Sequence, residues 1–134
     1  MQLKNLSDGA TLTLPDDLLW IDEHAWTPAV VSVSYLLTGA LLVESALRQK
    51  GRLPTLQGAA DMAWVTRQTL NTLYDWTAQP LTPDSGRMEL TLVDARTFGV
   101  GFAPEQPIEA EPVLGFPAQS DTDLYRITLR LIEI

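Results

Sequence analysis

The chain is 134 residues long, a length that suits one domain and can bury a core without help from metals or disulfides. Its composition, 46% hydrophobic and 19% charged, excludes intrinsic disorder. Seventeen acidic against nine basic side chains leave a net charge of −8, which works against sequence-specific nucleic-acid binding because the averaged surface repels a phosphate backbone. The absence of cysteine removes disulfides, thiolate metal sites and cysteine nucleophiles together.

The opening stretch, MQLKNLSDGATLTL, lacks the continuous apolar core of a signal peptide, and apolar runs elsewhere are only a few residues long. Neither export through a signal nor a membrane span is expected. Period-two alternation then dominates. Leu12 to Pro15 (LTLP) and Leu18 to Ile21 (LLWI) read as short strands, split by the turn-forming set Pro15, Asp16 and Asp17. After Pro28, the residues Val31, Val33 and Tyr35 alternate with Ser32 and Ser34, and Thr38 with Gly39 can close a hairpin. The second arm, Ala40 to Gln49, combines strand-like alternation of Leu41, Val43, Ser45 and Leu47 with good helix formers; β-rich flanks and the following Gly51 favour strand. Leu53 to Gly58 (LPTLQG) is expected to be a short strand paired back on this arm.

One principal helix is expected around residues 66–78. Leu70, Leu73, Tyr74 and Thr77 recur at intervals of three and four, Thr66 is a candidate N-cap, Pro80 stops the run, and Arg67 and Asp75 fall on the wet side. Residues 80–86 (PLTPDSG) form a turn or linker dividing two sub-regions of a single domain, 1–134. The next stretch is the clearest hairpin in the chain. Met88, Leu90 and Leu92 face inward on one arm and Phe98, Val100 and Phe102 on the other, around a turn at Asp94, Ala95 and Arg96. Gly99 and Gly101 alternate with the inward residues and mark a bulge or the close approach of another backbone or ring. Pro107 to Val113 (PIEAEPV) suits an edge strand or connecting arm, and in the last strand Tyr125, Ile127, Leu129 and Leu131 oppose Arg126, Thr128 and Arg130. The fold class is α+β: mostly antiparallel β-sheet, as a sandwich or partly open barrel, with one helix.

The residues that could carry chemistry converge poorly. His24, the single histidine, follows Asp22 and Glu23 within WIDEHAWTP (Trp20 to Pro28), and on a strand Asp22 and His24 would share a face. Metal-site spacings such as His-x-x-x-His or DxDxDG are absent, so a rim histidine satisfied by a neighbouring carboxylate is the simpler reading. The acidic pairs Asp16–Asp17, Asp22–Glu23 and Glu109–Glu111 suit solvated turns and faces of an acidic chain. No GxSxG occurs, and Gly99 to Gly101 lies within a strand with no helix after it, so it is no phosphate loop. No catalytic residue, cofactor or metal is expected. Trp64 and Trp76 read as core, whereas Trp20 and Trp26, flanking the polar triplet, stay open between core and subunit interface.

The runs LTLPDDLLWIDEHAWTP, SVSYLLTGALLVES, KGRLPTLQG and RMELTLVDARTFGVGF, with the IEAEPV to YRITLRLIEI ending, together resemble a family of small tail proteins of tailed bacteriophages, from about Thr11 to Ile134. Two turns depart from the family pattern: Gly51-Arg52 is followed by Leu53 before Pro54, and Ala95 stands where a glycine is usual. The resemblance implies a non-enzymatic virion component at the distal tail, made in the bacterial host cytoplasm. It also implies a hexameric ring that joins the tail tube to the baseplate or tip and contacts tube, hub or baseplate proteins. Genome DNA would pass through the channel, where an acidic lumen would keep it from sticking. The expected contact residues are Trp20, His24 and Trp26, Gly99 and Gly101, and Pro107 and Pro112. The alternatives from other classes are a small hydrolase using His24 with Asp22 or Glu23, and a monomeric binding module with a pocket lined by Trp20 and Trp26.

Overall fold

Tyr125, Ile127, Leu129 and Leu131 alternate along one ten-residue strand, and all four are buried. The structure, a computed structural model, describes residues 1–117 and 119–134. In chain order its elements are β1 (Gln2–Asn5), β2 (Thr11–Thr13), β3 (Leu19–Trp20), β4 (Ala29–Tyr35), β5 (Leu41–Leu47), β6 (Thr55–Gln57), β7 (Trp64–Thr66), α1 (Arg67–Thr77), β8 (Met88–Thr91), β9 (Thr97–Phe102), β10 (Ile108–Pro112) and β11 (Leu124–Glu133).

The last strand is the axis. One edge of β11 carries β10 and then β9, and the other carries β7 and then β6. From β9 the sheet continues through β8 and β1 to β2, and from β6 it continues to β3, with every pairing antiparallel. Because β11 belongs to both halves of this nine-stranded sheet, the apolar faces of both halves and of α1 converge on a single core. The architecture is thus mostly antiparallel β with one short helix, as the alternation indicates.

The helix starts where its cap demands. Thr66 is extended at ψ 155°, and its hydroxyl accepts the Thr69 backbone N–H at 3.3 Å. Leu70, Leu73 and Trp76 form the buried face. That face centres on Leu73, so Tyr74, about 100° further round, turns outward instead of joining the core as the spacing suggested. Arg67 is also not simply solvated: its guanidinium donates to the Tyr125 hydroxyl at 2.6 Å.

The β8–β9 hairpin follows the expected register, with Met88 opposite Val100 and Leu90 opposite Phe98, and Ala95 takes the turn at φ 68°. Met88, Leu90, Leu92 and Val100 are buried, while Phe98 and Phe102 pack half-buried against them. Close approach explains the glycines: a Cβ on Gly101 would lie 3.0 Å from the Leu81 side chain, and one on Gly99 3.2 Å from the Ile134 carbonyl oxygen. Among the described residues β10 pairs with β11 alone, in keeping with a proline-bounded edge. β1, short and half polar, was not anticipated. It seats Leu3 and Asn5 in the interior, where Asn5 Nδ2 donates to Gln79 Oε1 at 3.2 Å.

One expected pairing is wrong. Residues 53–58 do not return to the 40–49 arm: the chain redirects at Gly51, and residues 51–57 run along β11 instead. There the Leu131 N–H donates to Pro54 O and the Glu133 N–H to Arg52 O. The alternation of 53–58 was legible, but the partner able to bury Leu56, Leu129, lies far along the sequence.

Candidate functional site

WIDEHAWTP is a clamp made of turns. Residues 21–25 form turns, not a strand, so Asp22 and His24 do not share a face as expected. Asp22 Oδ1 accepts the Thr55 N–H at 2.9 Å, and the Ile21 N–H donates to Thr55 O at 3.1 Å. Glu23 Oε1 pairs with Arg96 Nη2 at 2.6 Å, and its backbone carbonyl accepts from Arg52. His24 is left outside. Its imidazole is 94% exposed and reaches only Glu23, at 3.9 Å.

Trp20 and Trp26 do come together, around a cation of the same chain. The Arg52 guanidinium lies 4.3 Å from the Trp20 ring centre and 5.4 Å from that of Trp26, while Phe98 meets Trp20 edge-on at 5.5 Å. The Arg52 guanidinium is thus within cation–π reach of both rings. Trp20 belongs to the core and Trp26 is half-buried. Two donors, Trp20 Nε1 and Arg52 Nε, are buried without a hydrogen-bond partner among the described residues. Each costs about 1–3 kcal/mol, which the stacked cation offsets in part. Of the other tryptophans, Trp76 is core as expected, but Trp64 is not: it stays exposed at the start of α1, with Nε1 donating to Ala59 O at 3.3 Å.

The Arg96 side of the clamp has a titratable consequence. The Arg96 backbone N–H donates to Asp94, and the Arg96 guanidinium sits 2.6 Å from the same carboxylate; together these hold the Asp94 carboxyl below its usual range.

The remaining contact candidates lie on separate elements. Gly99 and Gly101 are on β9 beside Ile134 and Leu81, and Gly101 is buried. Pro107 precedes β10 and Pro112 ends it, with cross-strand ion pairs between them, Glu111–Arg126 at 2.6 Å and Glu109–Arg130 at 3.1 Å. Among the described residues, no three His, Asp or Glu side chains cluster to hold a metal, and no helix is long and apolar enough to cross a membrane.

One extended apolar surface is uncovered, and its exposure was not foreseen. β4 and β5 pair with each other over seven residues, Ala29 opposite Leu47 through Tyr35 opposite Leu41, and with no other strand among those described. Leu36 and Ala40 close the tip around Gly39, at φ 84°. The resulting ribbon extends roughly 20–25 Å, and none of residues 30–47 is buried. Opposed residues share a face. One face therefore presents Val31, Val33, Tyr35, Leu41, Val43 and Leu47 with Ala29 and a single hydroxyl, Ser45, and the other Ser32, Ser34 and Glu44 with Val30, Leu42 and Ala46. The six large apolar side chains of the first face are 52–77% exposed. Residues 29–47 carry one charge, Glu44; that scarcity of charge was the signal in the sequence that this arm needs covering.

The clamp sits at the ribbon's root, where the Arg48 N–H donates to Pro28 O at 2.7 Å. WIDEHAWTP leads directly into β4 and Arg52 follows β5 by five residues, so the tryptophan–arginine stack fixes both ends of the arm to the body. Comparison with protein-family models, with curated proteins and with solved structures gives no match.

Proposed function

We propose that this chain is a non-enzymatic structural subunit of a bacteriophage tail, which self-associates into a ring at the distal end and joins the tube to the baseplate or tip. The observation that carries the reading is the ribbon. An isolated two-stranded hairpin is marginal in water, and an uncovered apolar face of this size on a small domain marks an association surface. The clamp holds that arm out from the body while the polar triplet beside it is used for backbone and arginine contacts. The resemblance of the sequence to small phage tail proteins supplies the setting: a virion protein, six copies to the ring, with tube, hub or baseplate proteins as neighbours. Within such a ring the chain's net charge of −8 would keep passing DNA from adhering.

The test is electron microscopy of infectious particles that carry an epitope tag on this protein, with antibody located along the tail. Label clustered at the distal end is the expected result. Label absent from particles that remain infectious, with the tagged protein functional in the lysate, would remove the structural reading.

A further inference from the structure

A second uncovered apolar surface lies on the body, on the outer side of the β3–β6–β11 edge. Leu19 stands opposite Gln57 and Trp20 opposite Leu56, and the Ile21 N–H bonds to Thr55 O. Since Trp20 and Leu56 point into the core, Leu19, Ile21, Thr55 and, two residues on, Leu53 point away from it. Arg130, opposite Thr55, shares that outer face, and so does Ile132. Leu19, Ile21 and Leu53 are 52–56% exposed. A groove of about 470 Å³ adjoins them, lined by the apolar Leu53, Ala103, Pro104 and Ile132 together with the charged Asp22, Glu105 and Arg130. The ribbon of the same chain leaves this surface open.

We propose that the apolar face of the ribbon of one copy docks on this β3–β6–β11 outer face of a second copy, so that the contact runs head to tail. The inference rests on the self-associating reading above and names its contact. Area supports it. The six exposed side chains of the ribbon face offer on the order of 600 Å², and covering a like area on the neighbour gives roughly 1,200 Å², the lower bound of a standard specific interface. In a closed ring each copy uses both surfaces, so about 1,200 Å² of its own surface is buried over its two contacts. Charge supports it too. The docking face of the ribbon is uncharged, Glu44 being on its other side, and the receiving surface exposes Leu19, Ile21 and Leu53 beside a groove whose charged lining residues are of both signs. Two different uncovered surfaces on one chain suit a heterologous contact, and a reciprocal two-fold exchange of ribbons would stop at a dimer.

The experiment is the mass of the purified full chain by light scattering, for the wild type, Val33→Asp and Ile21→Asp. Melting temperatures and circular dichroism establish that both variants stay folded; both substitutions lie at exposed positions, and Tyr35→Asp and Leu19→Asp serve as second variants. The wild type is expected to form a species larger than a dimer. Each variant alone is expected to be monomeric, with at least a tenfold loss of affinity. An equimolar mixture of the two should recover a one-to-one dimer and nothing larger, because Ile21→Asp keeps a sound ribbon and Val33→Asp a sound receiving face. If Ile21→Asp assembles like the wild type while Val33→Asp does not, the ribbon meets another surface and the docking is overturned. A wild type that stays monomeric to about 100 µM, far above a micromolar Kd, overturns it as well and assigns the ribbon to a different protein. The first result leaves self-association standing, the second removes self-association of the free chain, and the tail location itself stands or falls on the labelled particles.

Discussion

Replacing Arg52 with alanine probes whether one side chain holds the root of the ribbon. The substitution removes a guanidinium 4.3 Å from the Trp20 ring and 5.4 Å from Trp26, a partly desolvated cation–π contact of about 1–2 kcal/mol. It also removes the hydrogen bond to the Glu23 carbonyl, a charge-assisted bond of about 1.5–3 kcal/mol. Against these stands the relief of one buried unpartnered donor, Arg52 Nε, of about 1 kcal/mol. The net expectation is a loss of roughly 2–3 kcal/mol, or about 6–12 °C in Tm for a chain of this length. Urea unfolding followed by tryptophan fluorescence reads it directly, since Trp20 and Trp26 flank the lost group, and the midpoint should fall at constant m. Arg52→Met, which keeps the aliphatic stem against the rings without the charge, should lose about half as much. A loss below about 0.5 kcal/mol for Arg52→Ala, within the usual scatter of surface changes, would refute the reasoning; so would Arg52→Met matching the wild type, which would leave the charge with no role.

Ala95→Gly is expected to stabilise the protein by about 0.5–1 kcal/mol, because φ 68° strains an L-residue at the β8–β9 turn by somewhat more than glycine loses in unfolded-state entropy; a raised urea midpoint is the readout. Gly86→Ala should do the reverse. At φ 71° its new Cβ would lie 2.8 Å from the Pro80 carbonyl oxygen, and a loss of about 2–4 kcal/mol should appear in the same assay. Asp94→Asn tests the acid limb. The folded-state pKa of Asp94 is lowered from 3.8, first by the Arg96 backbone N–H, so its stabilising contribution is fully present above pH 3.8 and is lost as pH falls through the lowered value. The stability gap between the variant and the wild type should therefore be constant near neutrality and close at the acid end of a pH series of urea midpoints. His24→Ala, at a side chain 94% exposed, should leave stability within about 0.5 kcal/mol.

Local pattern was legible wherever a segment finds its partner nearby. The β8–β9 arms, the Thr66 cap and the inward face of β11 all follow from spacing, because side-chain period and turn chemistry are properties of the segment itself. Partners distant in sequence were not legible. LPTLQG alternates equally well beside β5 or β11, and only burial of Leu56 against Leu129 separates the two. On the helix, the buried face is turned by about half a residue step from the spacing of Leu70, Leu73, Tyr74 and Thr77, which leaves Tyr74 outside while Trp76, expected in the core, is in it. The alternation of Val31, Val33 and Tyr35 revealed a sheet face but not what covers it, since apolar residues alternate in the same way against a chain's own core or against another molecule. The clamp was missed for a related reason. Arg52 and Arg96 lie well outside WIDEHAWTP in sequence, so the triplet appeared to have free carboxylates that the fold in fact commits.

The position of β11 bears on how the molecule is made. Four strands hydrogen-bond directly to it, yet it is the last of the twelve elements to be synthesised. A ribosome extending this chain at about 5–20 residues per second therefore releases β6, β7, β9 and β10 before the strand that joins them exists, and the two halves of the sheet can close only once residue 133 has emerged. The β4–β5 ribbon is the opposite case. All its pairings are local and hairpins form in about 1–10 µs, so it forms transiently while most of the body is still unmade, with its valines, leucines and tyrosine open to the solvent.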